Sequence, residues 1–176
     1  GVVYAGRDAD MAPNMARYAR KTDARTLQDV LVGADVFLGL SAPNVLKPQW
    51  LGQMAGKPLI LALANPDPEI RPEDAIAARP DAIIATGRSD YANQVNNVLC
   101  FPFVFRGALD VDATVINEPM KIAAVEAIAA LARAEASDVV ARAYGGAAMG
   151  FGADYIIPKP FDPRLILHIA PAVARA

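Results

Sequence analysis

Three stretches of the chain share one pattern: an aliphatic or β-branched run, then a small or polar residue, then a turn. They read "ADVFLGLSAPN" (34 to 44), "KPLILALANPDPE" (57 to 69) and "PDAIIATGRSD" (80 to 90). None of the runs alternates polar with apolar positions, which predicts strands of a parallel sheet that are apolar on both faces. Between them, "RTLQDVLVG" (25 to 33), "KPQWLGQMAG" (47 to 56) and "RPEDAIAAR" (71 to 79) have helical patterns. Strand and helix alternate, so the class is α/β: a mostly parallel sheet flanked by helices and joined by right-handed crossovers. Gly33 and Gly56 stand where helix C-caps are wanted, and Pro72 stands near a helix start.

After residue 93 the pattern becomes helical, with helices expected at about 95 to 108, 117 to 143 and 163 to 175. Asn117 is an N-cap candidate, and Met120, Ala124, Ala127, Ile128 and Leu131 then fall on one apolar face. The last helix starts with Asp162 as N-cap and Pro163 at its first position. The glycine-rich stretch "YGGAAMGFGADY" (144 to 155) reads as a surface loop.

Composition narrows the class. The 176 residues are 54% hydrophobic and 20% charged, enough for the core of one folded domain and too little charge for a disordered tail. A net charge of −2 with both signs scattered argues against nucleic acid as a partner. One cysteine, Cys100, forms no internal disulfide, which suits a reducing cytoplasm, and one histidine, His168, rules out a His-rich metal site. The apolar runs are far shorter than the roughly 20 residues that span a bilayer, so no membrane association is expected. The opening "GVVYAGRD" carries no start signal for a helix or strand, and the chain is read as cut from a longer protein, residues 1–176 being a single domain of it.

In an open α/β sheet, ligands bind beyond the carboxyl ends of the strands. The residues there are Gly39 and Ser41, then Asn65 and Pro66, then Thr86, Gly87 and Arg88, which make a binding edge more than a reaction centre. Asn65 has two readings. It closes a turn, or its amide offers a donor and an acceptor to a nicotinamide carboxamide or a hydroxy-acid oxygen. The segment "NQVNN" (93 to 97) divides similarly. Asn93 reads as a helix N-cap, whereas Asn96 and Asn97 fall inside the first turn, where capping does not explain them. Asn97 is the stronger ligand candidate, because a helix start attracts carboxylates and an amide adds a directional hydrogen bond. Ser41 lacks a histidine partner, since His168 falls in the amphipathic last helix as half-exposed packing, which argues against a Ser-His-Asp triad. Cys100, between Leu99 and Phe101, reads as a small buried hydrophobe. Arg88 and Lys159 read as solvated surface cations, and Glu73 and Asp74 as complements of a helix dipole. No G-x-G-x-x-G turn joins a strand to a helix.

Several blocks, "DVFLGLSAP", "LALANPDPEI", "ATGRSDYANQVNNVLCFPFVFRGALDV", "INEPMKIAAVEAIA" and "YIIPKPFDPRL", resemble the cofactor-binding domain of bacterial malic enzymes over nearly the whole chain. The resemblance implies the carboxyl-terminal portion of a Rossmann-like NAD(P)-binding domain, without its first strand and glycine-rich turn. The family oxidises malate with NAD or NADP and decarboxylates the product to pyruvate and carbon dioxide. It also implies a divalent metal, Mg or Mn, whose acidic ligands lie upstream of this chain, as does the family's tyrosine and lysine acid-base pair. Asn65, in the family's "NP" motif, and Asn97, in its "NN" motif, are expected to line the nicotinamide and malate pocket; Asn96 and the Gly39 to Ser41 loop are weaker carry-overs. Ala92 stands where the family has proline. The complete enzyme is expected to be a cytoplasmic homo-oligomer, and the fragment alone inactive. The alternative is a non-catalytic α/β binding or assembly module built on the same scaffold.

Overall fold

The computed structural model describes residues 1–7, 11–134, 138–143 and 150–176. Strands β1 (Val36–Gly39), β2 (Leu59–Ala62) and β3 (Ile83–Thr86) form a parallel sheet in that order. Val36, Leu59 and Ile83 share one register line, and Gly39, Ala62 and Thr86 the last. The connections carry α1 (Leu27–Leu31) ahead of β1, a 3-10 segment (Pro48–Gln53) between β1 and β2, and α2 (Pro72–Ala78) between β2 and β3. The α/β reading of the sequence therefore holds.

Local chemistry sets these elements. Thr26 and Asp29 form a capping box at α1: the Asp29 N–H donates to Thr26 Oγ1, and Asp29 Oδ2 accepts from the Arg25 and Thr26 N–H groups. Those backbone donors hold the Asp29 carboxyl below its usual range. Pro72 opens α2, where its missing N–H is harmless. Gly33 follows α1 in a left-handed conformation (φ 69°), as a C-cap glycine should. Gly56 does not. The left-handed residue there is Lys57 (φ 53°), whose N–H donates to Asp81 Oδ2 at 2.7 Å, so a contact across the chain sets that turn.

One face of the sheet is packed. Phe37 and Ile60 meet Leu31, Leu46, Leu51, Met54, Ile70 and Ala75, with Ile84 partly buried beside them. The opposite face differs from expectation: Val36 is 52% and Leu38 57% exposed, while Leu59 and Leu61 are half-buried. The helices between the strands cover a single side, so uniformly apolar runs here do not mean burial on both.

The second half is a helical layer. A 3-10 turn (Asn97–Leu99) leads into α3 (Phe101–Asp110), followed by α4 (Glu118–Arg133), α5 (Asp138–Ala143) and α6 (Arg164–Arg175). The expected single helix over 95 to 108 is divided at Cys100, because Pro102 tolerates only the first turn of a helix. The Asn117 side chain caps α4 by accepting from the Met120 N–H at 2.9 Å. The helix expected over 117 to 143 appears as α4 and α5, residues 135–137 lying outside the described residues, as do 144–149 of the expected glycine-rich loop. The N-cap of α6 is Pro163, one residue later than expected, with no side-chain capping bond, and Arg164 is the first helical residue; Asp162, just ahead of them, accepts from the Arg164 N–H at Oδ1. Leu99, Val104, Met120, Ala124, Leu131, Leu165, Ile169 and Val173 form this layer's core, with Ala127 and Ile128 packed against it. Gly107 lets α3 and α6 approach closely: a Cβ there would stand 2.4 Å from the Ala170 carbonyl oxygen.

Candidate functional site

The two layers meet beyond the carboxyl ends of the strands. After Thr86 the chain turns through Gly87 and returns alongside: the Val95 N–H donates to the Thr86 carbonyl at 2.8 Å, and Gln94 bridges Thr86 in parallel. This pairing brings residues 95 to 97 next to the loop that follows β2. A polar cavity of about 260 Å³ opens there, lined by Leu63, Asn65, Gly87, Val95, Asn96 and Asn97. Asn65 and Asn97, more than thirty positions apart in sequence, thus share one cavity at the sheet rim.

The asparagines divide by what their amides do. Asn93 does not cap a helix. It is 1% exposed with φ 52°, and its Nδ2 donates to the Ile84 carbonyl (2.9 Å) and the Ala153 carbonyl (2.6 Å), while its Oδ1 accepts from the Ile156 N–H (2.8 Å). It therefore staples β3 to the segment ahead of α6. The cap is Asn96, whose Oδ1 accepts from the Val98 N–H at 3.0 Å and starts the 3-10 turn. Asn65 and Asn97 are exposed, and among the described residues neither side-chain amide makes a hydrogen bond. Each presents one acceptor and two donor hydrogens to the cavity.

Ser41, the remaining expected ligand contact, lies outside this cavity. It follows β1, and its N–H donates to Glu69 Oε1 at 2.9 Å. Glu69 escaped the sequence reading. It is fully buried, with its second oxygen accepting from the Ala64 N–H at 3.0 Å. The available signals were an acidic residue set between Pro68 and Ile70, and a glycine, Gly39, inside an otherwise bulky strand.

The lining carries no charged side chain. Arg88 belongs to an adjoining polar cavity of about 250 Å³ with Asn44, Asp67, Pro68, Arg71 and Tyr91. There it pairs with both oxygens of Asp90 (2.9 and 2.7 Å), which raises the guanidinium pKa and lowers that of the Asp90 carboxyl. The Tyr91 hydroxyl donates to Glu73 Oε1 at 2.8 Å; the Glu73 carboxyl is held down by its own backbone N–H and then by Tyr91, whose hydroxyl is pushed up. The role expected for Glu73, at the start of α2, is thus joined by a tertiary contact. Cys100 packs partly buried against the helical core, and burial pushes its thiol up, as suits a small hydrophobe. His168 is exposed on α6. Lys159 is half-buried, and burial pulls its pKa down. Among the described residues no group of three His, Cys, Asp or Glu side chains could hold a metal ion. No described helix is long and apolar enough to cross a membrane.

Comparison with known proteins agrees with this architecture. The family described as "Malic enzyme, NAD binding domain" matches residues 1–142. The NAD-dependent malic enzyme of Rhizobium meliloti (strain 1021) is 67% identical and the NADP-dependent malic enzyme of Escherichia coli (strain K12) 66%, each over all of this chain and 23% of the relative. The chain thus spans about a quarter of these relatives' length. The crystal structure of the NAD-dependent malic enzyme from Thermotoga maritima is 37% identical with a TM-score of 0.80, over 99% of this chain and 42% of that one. That of the malic enzyme from Pyrococcus horikoshii is 42% identical with a TM-score of 0.70, over 84% and 31%. By these matches the chain belongs to the malic enzyme NAD-binding domain family.

Proposed function

We propose that this chain is the carboxyl-terminal portion of the cofactor-binding domain of an NAD(P)-dependent malic enzyme, and that the cavity between Asn65 and Asn97 receives the nicotinamide end of the cofactor together with malate. The observation that carries this reading is the pair of uncommitted amides in one cavity at the carboxyl rim of a parallel sheet. An amide N–H at Asn97 or Asn65 donates to a carboxylate or carboxamide oxygen, and the amide oxygen accepts from a hydroxyl or carboxamide N–H. Asn96 holds the turn that aims Asn97, through its bond to Val98. When bound, the nicotinamide supplies the hydride acceptor for malate oxidation. This chain's residues contribute orientation, a class of effect worth on the order of 7 to 11 kcal/mol in favourable cases.

The parent is read as a cytoplasmic homo-oligomer. Supporting this are an unpaired, partly buried Cys100 and an apolar row on α3, Phe101, Phe105 and Leu109, that is open to a neighbour. The test is malate-dependent reduction of NAD and NADP by the complete polypeptide and its Asn97→Ala variant, with melting temperature measured alongside. The expected result is pyruvate formation by the wild type and a loss on the order of 100-fold in kcat/KM for the variant at unchanged melting temperature. An inactive complete polypeptide would point instead to a non-catalytic α/β assembly module.

A further inference from the structure

Glu69 is a buried acidic residue at the carboxyl rim of the sheet. It lies 0% exposed, and among the described residues no Lys or Arg pairs with it. A carboxyl group taken out of water is destabilising unless its oxygens are hydrogen-bonded. Here Oε1 accepts from the Ser41 N–H (2.9 Å) and Oε2 from the Ala64 N–H (3.0 Å). Ser41 follows the end of β1, and Ala64 immediately precedes Asn65 after the end of β2. One side chain therefore ties both strand exits together at the rim where the cavity opens. Its own backbone is fixed as well, since its carbonyl accepts from the Leu46 N–H at 3.1 Å. Gly39 provides the space: a Cβ there would lie 2.4 Å from Glu69 Cδ and 2.6 Å from Oε1.

We propose that Glu69 is a positioning residue for the Asn65 amide, with Gly39 as the vacancy that lets its carboxyl group sit between the Ser41 and Ala64 N–H groups. The inference rests on the reading of the cavity as the nicotinamide and malate site. An apolar residue would fill the same volume, but it would leave the Ser41 and Ala64 N–H groups without acceptors and the residue before Asn65 unheld. The two-oxygen bridge fixes the peptide from which the Asn65 side chain projects.

The test is a double-mutant cycle in the complete polypeptide, using kcat and KM for malate and melting temperature. Glu69→Gln keeps the shape but turns an NH₂ toward one of the two backbone donors. It is expected to lower kcat/KM roughly 10- to 100-fold, chiefly through kcat, as misplacement of an orienting group does. Gly39→Ala, which intrudes on the same carboxyl from the other side, should reproduce that loss. In an Asn65→Ala background, Glu69→Gln should lower kcat/KM by less than about twofold, because the group it positions is gone. An equal fold-loss in both backgrounds makes Glu69 merely structural and overturns the proposal. A loss in Asn65→Ala with none in Glu69→Gln overturns it while sparing the cavity reading, whereas wild-type kinetics in Asn65→Ala overturn both. Should Glu69→Gln not fold, Glu69→Asp, which keeps both acceptors on a shorter arm, takes its place in the cycle with the same two outcomes.

Discussion

The sheet layer and the helical layer solve the burial problem differently. The sheet packs Phe37 and Ile60 on one face and leaves Val36 and Leu38 open on the other. The helical layer closes around Leu165, Ile169 and Val173, all fully buried, while α3 and α4 keep Phe105 and Ile122 outside. Neither core supplies the cavity. It forms at their seam, where residues 93 to 97 lead from β3 toward the 3-10 turn ahead of α3, and where one asparagine is consumed by structure, one by capping, and one keeps a side-chain amide without a hydrogen bond among the described residues. The lesson is that identical side chains one to four positions apart take different roles according to which layer claims their hydrogen bonds.

The largest break in this comparison comes from hollowing one core. Leu165→Ala removes a fully buried side chain from the helical layer and should lower unfolding free energy by about 2–5 kcal/mol, measured by denaturant titration. The seam is next. Asn93→Ala leaves the Ile84 and Ala153 carbonyls and the Ile156 N–H without their partner, and asks alanine to hold φ 52°; a loss on the order of 3 kcal/mol is expected in the same titration. If Asn93→Ala were as mild as an exposed substitution, the seam would not hold the layers together. Removing the cap is milder: Asn96→Ala should destabilise by about 1 kcal/mol and shift Asn97, lowering affinity for malate in the complete polypeptide.

The smallest effect concerns pH and belongs to the sheet layer alone. Arg79 pairs with Asp81 at 2.8 Å while also donating to the Leu51, Met54 and Ala55 carbonyls. The Asp81 carboxyl is held well below the usual carboxylate range, by Arg79 first and then by the Lys57 N–H. Because the folded chain takes up this proton less readily than the unfolded one, the associated stability is fully present above the unfolded value near about pH 4 and fades as pH falls below it. Asp81→Asn should therefore flatten the acid limb of a stability profile and leave the neutral-to-alkaline region unchanged in slope.

Much of the fold was legible because local pattern and tertiary outcome agree. The three apolar runs became β1 to β3, Pro72 and Asn117 stand at helix starts, and Met120, Ala124 and Leu131 face the core as their spacing predicts. The break at Cys100 was also available, in Pro102. What stayed hidden depends on distant partners. Asn93 finds Ala153 and Ile156, 60 and 63 positions away, so a capping rule read it wrongly. Lys57 takes the left-handed turn that Gly56 seemed made for, because Asp81 reaches its N–H from 24 positions off. Glu69 drew no reading at all, because its acceptors are used by the Ser41 and Ala64 N–H groups, one of them 28 positions away. The strand-exit rule pointed to Asn65 alone; its pairing with Asn97 came from the resemblance to the family, and both residues line one cavity.

The most direct test is a crystal structure of the complete polypeptide with a nicotinamide cofactor and an unreactive malate analogue, measuring the distances from the two amides to the bound molecules. The side chains of Asn65 and Asn97 are predicted to lie within hydrogen-bonding reach, about 3 Å, of the nicotinamide carboxamide or the analogue's oxygens. Ligands seated elsewhere, with both amides still turned to solvent, would contradict the account.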